Sequence, residues 1–286
     1  MTDEILITGA TGFLGRHLVS ALESAGRRVR QHSSRDGDIA RCELPMRDIR
    51  HVFHLAARSF VPHSWEQPRA FYEVNVMGTL NVLEHCRRHR AALTLISSYV
   101  YGSPQYLPIR EDHSLSAFNP YSQTKILAEA TARFYERHHG LRLVVVRPFN
   151  LYGPGQAASF LIPTIARQVL DPAVAIVRVK DLRPKRDYLF VDDAVRLLTA
   201  TLEPEARGTY NMGSGSSASV DKVARLINQA AGVDKPLESD EAPRPHEVME
   251  TVADISRAQA ELGWRPTTKL ADGLCTVVAA LRSICG

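Results

Sequence analysis

Cysteine is scarce in this chain of 286 residues. The four present, Cys42, Cys86, Cys275 and Cys285, form neither a CxxC pair nor a metal-ligand spacing. That excludes a disulfide scaffold and a zinc module, and leads us to expect no metal and reduced thiols in a cytoplasmic protein. No apolar run approaches the roughly 18 residues of a membrane span, and no signal peptide is read before the first strand. Charge of one sign is not in large excess: 35 Lys and Arg stand against 31 Asp and Glu, a formal +4. This is too mild to call for nucleic acid or a membrane surface, although it favours small anions. Internal repeats and low-complexity linkers are missing too. What is there is ordinary globular composition, 44% apolar and 23% charged, enough for one large domain or two intimately joined ones.

The most informative stretch opens the chain. Ile5, Leu6 and Ile7 read as a short buried strand, followed by Gly9, Gly12 and Gly15 and then by Leu14, Leu18, Leu22 and Ala25 at helical spacing up to Gly26. Gly9 permits a sharp turn, Gly12 lets backbone approach a bound group, and Gly15 lets the helix pack on the sheet. The free N–H groups and positive dipole end of such a helix suit a pyrophosphate. A glycine turn that binds nothing is the plain alternative; the strand–turn–helix order favours a dinucleotide.

The next strand ends at Ser33, followed by Ser34 and Arg35. In dinucleotide folds an acid at this place holds the ribose 2′-OH, whereas two serines and an arginine suit a 2′-phosphate. NADP(H) is therefore expected, with NAD(H) possible if Asp36 or Asp38 does the acidic work from a shifted position. A third apolar strand ends in the small residues Ala56 and Ala57 after His54 and Leu55, leaving room for a cofactor. After Pro68 comes a helix with Val74, Met77, Leu80 and Leu83 on its apolar face; Asn75 within it is either solvated or a polar anchor near the cofactor strand. His85 and His89 have metal-compatible spacing, but Arg87, Arg88 and Arg90 beside them indicate a basic helix end instead.

A fourth strand over 93–96 runs into Ser97-Ser98-Tyr99-Val100-Tyr101-Gly102, placing hydroxyls where open α/β sheets bind ligands. Asn119-Pro120 then opens a helix on which Tyr121 and Lys125 share one face. An ammonium beside a phenol lowers the tyrosine pKa and yields an acid/base usable near neutral pH; a mere packing pair is the alternative. Further on, Arg178, Lys180, Arg183, Lys185 and Arg186 crowd together, either as a solvated basic loop or as a clamp for a diphosphate.

Taken in order, these motifs resemble the sugar-nucleotide epimerase/dehydratase branch of the extended short-chain dehydrogenase/reductases. The resemblance adds Asn75-Val76-Met77-Gly78-Thr79, Arg147-Pro148-Phe149-Asn150, Arg186-Asp187-Tyr188, Tyr210-Asn211-Met212-Gly213 and Leu262-Gly263-Trp264, and so runs nearly end to end. It implies a doubly wound Rossmann parallel sheet with a smaller α/β substrate domain interleaved at its C-terminal side. The expected division is 1–152 plus about 187–213 for the dinucleotide and about 153–186 plus 214–286 for the substrate. It implies catalysis by Tyr121, Lys125 and Ser97, with Ser98 nearby on the substrate. Cofactor contacts are expected from Gly9, Thr11, Gly12, Phe13, Leu14, Gly15, Ser33, Arg35, Asp38, Ile39, Leu55, Ala56, Ala57, Asn75, Tyr121, Lys125 and Pro148. Asn150, Arg186 and Arg244 are expected on a nucleotide-diphosphate sugar, and pairing of the helices near Asn75 and Tyr121 implies a homodimer.

Two departures narrow the reaction. The acidic residue that 4,6-dehydratases carry two places after the catalytic Thr or Ser is here Tyr99, which argues against dehydration. The missing acid after the second strand argues against strict NAD preference. What is left is hydride transfer at C4, as a 4-keto-6-deoxyhexose reductase or a C4 epimerase. The loop Gly153-Pro154-Gly155-Gln156 with Ser159-Phe160 resembles that of GDP-4-keto-6-deoxyhexose reductases and tilts the expectation to reduction. A non-catalytic dinucleotide sensor would have no need of intact Ser97, Tyr121 and Lys125.

Overall fold

The fold was analysed in a computed structural model, which describes residues 4–240 and 248–285. In chain order the strands are β1 (Glu4–Thr8), β2 (Arg28–His32), β3 (Ile49–His54), β4 (Ala92–Ile96), β5 (Leu143–Pro148), β6 (Asn150–Tyr152), β7 (Val177–Val179), β8 (Lys185–Arg186), β9 (Tyr188–Phe190), β10 (Gly208–Met212), β11 (Ala218–Ser219) and β12 (Leu237–Ser239). The helices are α1 (Phe13–Ser24), α2 (Val61–Glu66), α3 (Pro68–Phe71), α4 (Gly78–His89), α5 (Pro120–His139), α6 (Leu161–Leu170), α7 (Val191–Ala200), α8 (Val220–Ala231), α9 (Ser256–Leu262) and α10 (Leu270–Cys285).

Six parallel strands form the main sheet in the order β10-β5-β4-β3-β1-β2. The near-continuous apolar runs of β1, β4 and β5 follow from burial on both faces, whereas the edge strand β2 is polar and mostly uncovered. Ile5, Ile7, Phe53, Val144 and Val146 share one core cluster with Leu18 and Leu22 of α1 and Leu197 and Leu198 of α7. Leu6, Val52, Leu93, Leu95 and Val145 face the other way, against Val82 and Leu83 of α4 and Ala132 and Tyr135 of α5. Each fully buried side chain of this size contributes about 1.5–3 kcal/mol. A third cluster joins Ile162 and Ile165 of α6, Val223 and Ile227 of α8 and Leu274 and Val277 of α10 to Tyr152 and Phe190. This is the expected doubly wound α/β fold. Its strand order reverses at β1, with β2 on one side and β3 on the other, and such a switch point leaves a ligand crevice beyond the strands' carboxyl ends.

The helix expected after Pro68 is broken. Between α3 and α4 lies a π-helical turn, Tyr72–Met77. Its wider turn upsets the 3.6-residue spacing, so Met77 is 49% exposed instead of joining Leu83 on the buried face, while Asn75 is turned fully inward. The basic segment also differs from a simple clamp. Arg178 pairs with Glu238 at 2.8 Å, Arg183 with Asp181 at 2.9 Å and Lys185 with Glu250 at 3.4 Å. Among the described residues, no helix is long and apolar enough to cross a membrane, and no group of His, Cys, Asp or Glu could hold a metal.

Candidate active site

The glycine loop sits at the switch point. Gly9 has φ +72°, and a Cβ there would lie 2.7 Å from the Ala56 nitrogen, so both handedness and the approach of β3 demand glycine. A Cβ on Gly15 would lie 2.3 Å from the Gly9 carbonyl oxygen, which lets α1 start directly under the loop. The loop is held down by Gly9 and Ala10, whose N–H groups donate to the His32 carbonyl. No side chain caps α1 and no acid stands in its first turn, so its N-terminal N–H groups are left for an anion. These features fit a dinucleotide pyrophosphate.

The opposite wall is carried by α5. Asn119 and Ser122 close a reciprocal capping box and Pro120 occupies the first turn, which fixes where Tyr121 and Lys125 begin. Phe71 meets the Tyr121 ring edge-on at 6.4 Å. Lys125 is buried, and its ammonium donates to the Ile96 carbonyl at 2.5 Å. Burial pulls its pKa down to about 8, against an upward pull from Glu129 one turn along the helix. Glu129 is itself held by Arg147 of β5, with Nη2 to Oε2 at 2.7 Å, both side chains being buried. The expected lowering of the Tyr121 pKa is not found. Burial pushes the phenol up to about 12, the Ser98 hydroxyl pulls it back, and Lys125 is turned to the strand carbonyl instead. The error lay in weighing the lysine charge without the desolvation of the phenol, which only the packed structure reveals.

Both walls line one cavity of about 1,170 Å³. It brings together Gly9, Gly12, Phe13, Leu14, Gly15, Leu55, Ala57, Ser97, Ser98, Tyr121, Lys125, Pro148, Asn150 and Arg186. The hydroxyls of Ser97 and Thr251 are buried there without a hydrogen-bond partner, while that of Ser98 faces the Tyr121 phenol. Tyr99, at the place of the dehydratase acid, donates to the Gly102 carbonyl at 2.6 Å and is held protonated, its pKa pushed up to about 12 by burial. Among the described residues no carboxylate or imidazole lines the cavity. A second cavity of about 570 Å³ shares Asn150, Gln156, Phe160 and Arg186 with the first and adds Arg178, Lys180 and Tyr188, whose hydroxyl is also buried and unpartnered.

Other expected contacts lie elsewhere. Thr11 lines a small cleft on the outer side of α1. Ala56 packs under the strand end. Asn75 is fully engaged: its amide bonds the Arg58 backbone at 2.8 and 3.0 Å and the Thr124 hydroxyl at 2.9 Å, which makes it a brace between the β3 loop and α5. Asp38 closes its own turn on the Ala40 N–H. Ile39 is buried against Gly78. Ser33 and exposed Arg35 stand at the tip of β2, where the Asp36 carboxylate folds back to accept from the Ser33 N–H and hydroxyl, each at 2.8 Å. Arg244 lies outside the described residues.

Residues 5–213 match the family described as NAD dependent epimerase/dehydratase. The chain belongs to that family. It is 33% identical to a dTDP-glucose 4,6-dehydratase of Streptomyces griseus, across 98% of this chain and 94% of the relative. It is 30% identical to a GDP-6-deoxy-D-mannose reductase of Pseudomonas aeruginosa, across 98% and 97%. The solved structure of a UDP-glucose 4-epimerase from Thermotoga maritima with UDP-glucose superposes with a TM-score of 0.91 at 25% identity, covering 99% of this chain and all of that one. The family therefore establishes an enzyme with a dinucleotide cofactor, while the relatives span dehydration, reduction and epimerisation at similar distances.

Sequence reading missed Thr251, Trp65, Phe118 and Phe160 as cavity residues. Thr251 carries no motif. Trp65 on the short α2 is 65% exposed, and Phe118 and Phe160 in loops are 38% and 40% exposed, which only the structure reveals. Asp187 was read only as part of a motif. It is buried and accepts from the N–H groups of Ser214, Gly215 and Ala253, tying β9 to the loops behind the cavity.

Proposed function

We propose that this enzyme transfers hydride at C4 of a nucleotide-diphosphate sugar, and that its reaction is reduction of a 4-keto-6-deoxyhexose. The observation that carries the reading is a cavity joining the glycine loop to Ser97, Ser98, Tyr121 and Lys125 with no carboxylate among the described residues that line it. Dehydration needs an acid and a base to remove water across C5 and C6, and Tyr99 is no base while protonated and gives its hydrogen to the Gly102 carbonyl. Reduction needs one proton donor at the carbonyl oxygen. Tyr121, held protonated by burial, gives that proton; Ser97 and Ser98 hydrogen-bond the same oxygen and orient it. Lys125, whose ammonium is turned to the Ile96 carbonyl, would offer its charge to the bound dinucleotide. Phe118, Phe149 and Val248 line the cavity with apolar surface suited to a 6-methyl group.

The dinucleotide, held by the glycine loop, α1 and the end of β3, supplies the hydride. Arg35 at the tip of β2 and the engagement of Asp36 by Ser33 support NADP(H). Asn150, Arg186 and the adjoining cavity would take the nucleotide diphosphate, with Arg244 as a further candidate. The interleaved substrate part would be built on the α6, α8 and α10 core. C4 epimerisation uses the same residues, and the size of the cavity favours it to the extent that a keto sugar has room to turn over. The test is a turnover screen of 4-keto-6-deoxy and 4-hydroxy nucleotide sugars, each with NADPH and NADH. Cofactor oxidation with a keto substrate is the expected result. Interconversion of two 4-hydroxy sugars without net cofactor use would replace reduction by epimerisation.

A further inference from the structure

His54 closes β3 and is 2% exposed, in the middle of the molecule, yet lines neither cavity. Its Nδ1 lies 2.7 Å from the Thr8 hydroxyl and its Nε2 lies 3.1 Å from the Thr79 hydroxyl. Which nitrogen carries the proton follows from counting hydrogens. A threonine hydroxyl has one hydrogen to give. Thr79 gives its hydrogen to the Asn75 carbonyl at 2.6 Å. It can therefore only accept from His54, so Nε2 bears the hydrogen and Nδ1 accepts from Thr8. Thr8 accepts in turn from the Ala56 N–H at 3.4 Å. On the far side, the Asn75 amide donates to the Thr124 hydroxyl at 2.9 Å, and Thr124 donates to the Tyr121 carbonyl at 2.7 Å.

The donors point the same way in two runs that meet at Asn75: from Ala56 through Thr8, His54 and Thr79 to its backbone carbonyl, and from its side-chain amide through Thr124 to the Tyr121 backbone carbonyl. One end touches the loop beside Gly9; the other is the first turn of α5. Bonds aligned in one direction polarise one another within the first run, and a neutral imidazole is the one ring that can donate at one nitrogen and accept at the other; Asn75, its backbone in one run and its side chain in the other, joins the two mechanically. Its surroundings keep it neutral: burial lowers its pKa to about 3, with Lys125 and His32 pushing the same way.

We propose that His54 is a positioning residue: locked as the Nε2–H tautomer, it links the dinucleotide loop through Thr79, Asn75 and Thr124 to Tyr121 and holds the phenol in register with the cofactor strand. The proposal rests on the reading of Tyr121 as the acid/base, and its test has an arm that does not.

That arm is nitrogen-15 NMR of protein labelled at histidine, with His54 assigned by its loss in His54→Gln. A neutral ring protonated at Nε2 at pH 7 is expected. A ring protonated at Nδ1, or at both nitrogens, overturns the proposal whatever the enzyme turns over. The kinetic arm uses Thr79→Val, which keeps the shape but cannot bridge, and Thr79→Ser, which can. For Thr79→Val, kcat should fall about 10- to 100-fold, the effect of a slightly misplaced catalytic group, while substrate KM and dinucleotide Kd stay near wild type. Thr79→Ser should restore most of the rate. A merely structural role would lower the Tm of Thr79→Val and leave kcat per folded enzyme unchanged, and that result would overturn the proposal, as would failure of serine to rescue. If Thr79→Val does not fold, Thr124→Val cuts the series on the far side of Asn75 and is expected to show the same loss.

Discussion

At the residue scale, the chemistry turns on one phenol that burial keeps protonated and one ammonium that burial makes easier to neutralise. Replacing Tyr121 by Phe removes the proton and keeps the ring against Phe71. Turnover should fall by about 10²–10⁴-fold, with dinucleotide affinity measured by titration nearly unchanged; a variant retaining wild-type turnover would remove Tyr121 from the mechanism. Lys125 has its pKa lowered to about 8 by burial, so it is charged below that pH and neutral above it. Activity that needs the ammonium should decline as pH rises through about 8, and a flat profile between pH 7 and 9 would count against its charged role. Tyr121, Lys125 and the glycines were legible because their spacing is itself the signal. The direction of the Tyr121 shift was not, because desolvation depends on what packs over the phenol. Asn75 was legible as a polar residue of interest but not as a brace, since its partners Arg58 and Thr124 come from different elements.

At the scale of elements, α5 and β5 are joined by the buried Arg147–Glu129 pair. Arg147→Met leaves Glu129 buried without its partner and should cost about 3–5 kcal/mol of stability, read from urea midpoints. Arg147→Met with Glu129→Leu should cost clearly less; equal losses would show that the pair is not what matters. Strand β3 carries two buried imidazoles, His51 and His54, each with its pKa lowered to about 3, chiefly by burial. Both are neutral in the folded chain and protonate near 6.5 when unfolded, so the unfolded state binds more protons between those values. Stability is then fully present above about pH 6.5 and is lost as pH falls towards 3, by roughly 1.4 kcal/mol per pH unit for each histidine. Urea midpoints at pH 7.5 and 5.0 check this, and equal values would contradict it. The strands were readable as apolar runs bounded by turns. The break at Tyr72–Met77 was not, because a π turn leaves no periodicity of its own and shows only as Met77 displaced to the surface.

At the scale of the whole molecule, the doubly wound parallel sheet was implied by the ordered motifs that resemble the family, and the strand order bears it out, while the switch point became visible only in that order. The shared boundary of the two cavities did not follow, because it joins Asn150 and Arg186 from separate strands across a contact that no local pattern encodes. Met77 and Phe134, each 49% exposed, and Tyr72, 38% exposed, leave apolar surface on the π turn and α5. We expect a homodimer through these helices, seen by light scattering at micromolar concentration. Phe134→Glu should shift it towards monomer, and a monomeric wild type would contradict the expectation. The central claim, hydride delivery to C4 in the cavity of Tyr121 and Lys125, is tested most directly by isotope transfer. The enzyme is incubated with stereospecifically deuterated NADPH and a 4-keto-6-deoxy nucleotide sugar, and the product is read by NMR. With the 4R- and 4S-deuterated cofactors compared, one deuterium at C4 for each cofactor consumed is the predicted result from one of the two; a product without deuterium from either, or two C4 epimers exchanging with no net cofactor consumed, would contradict it.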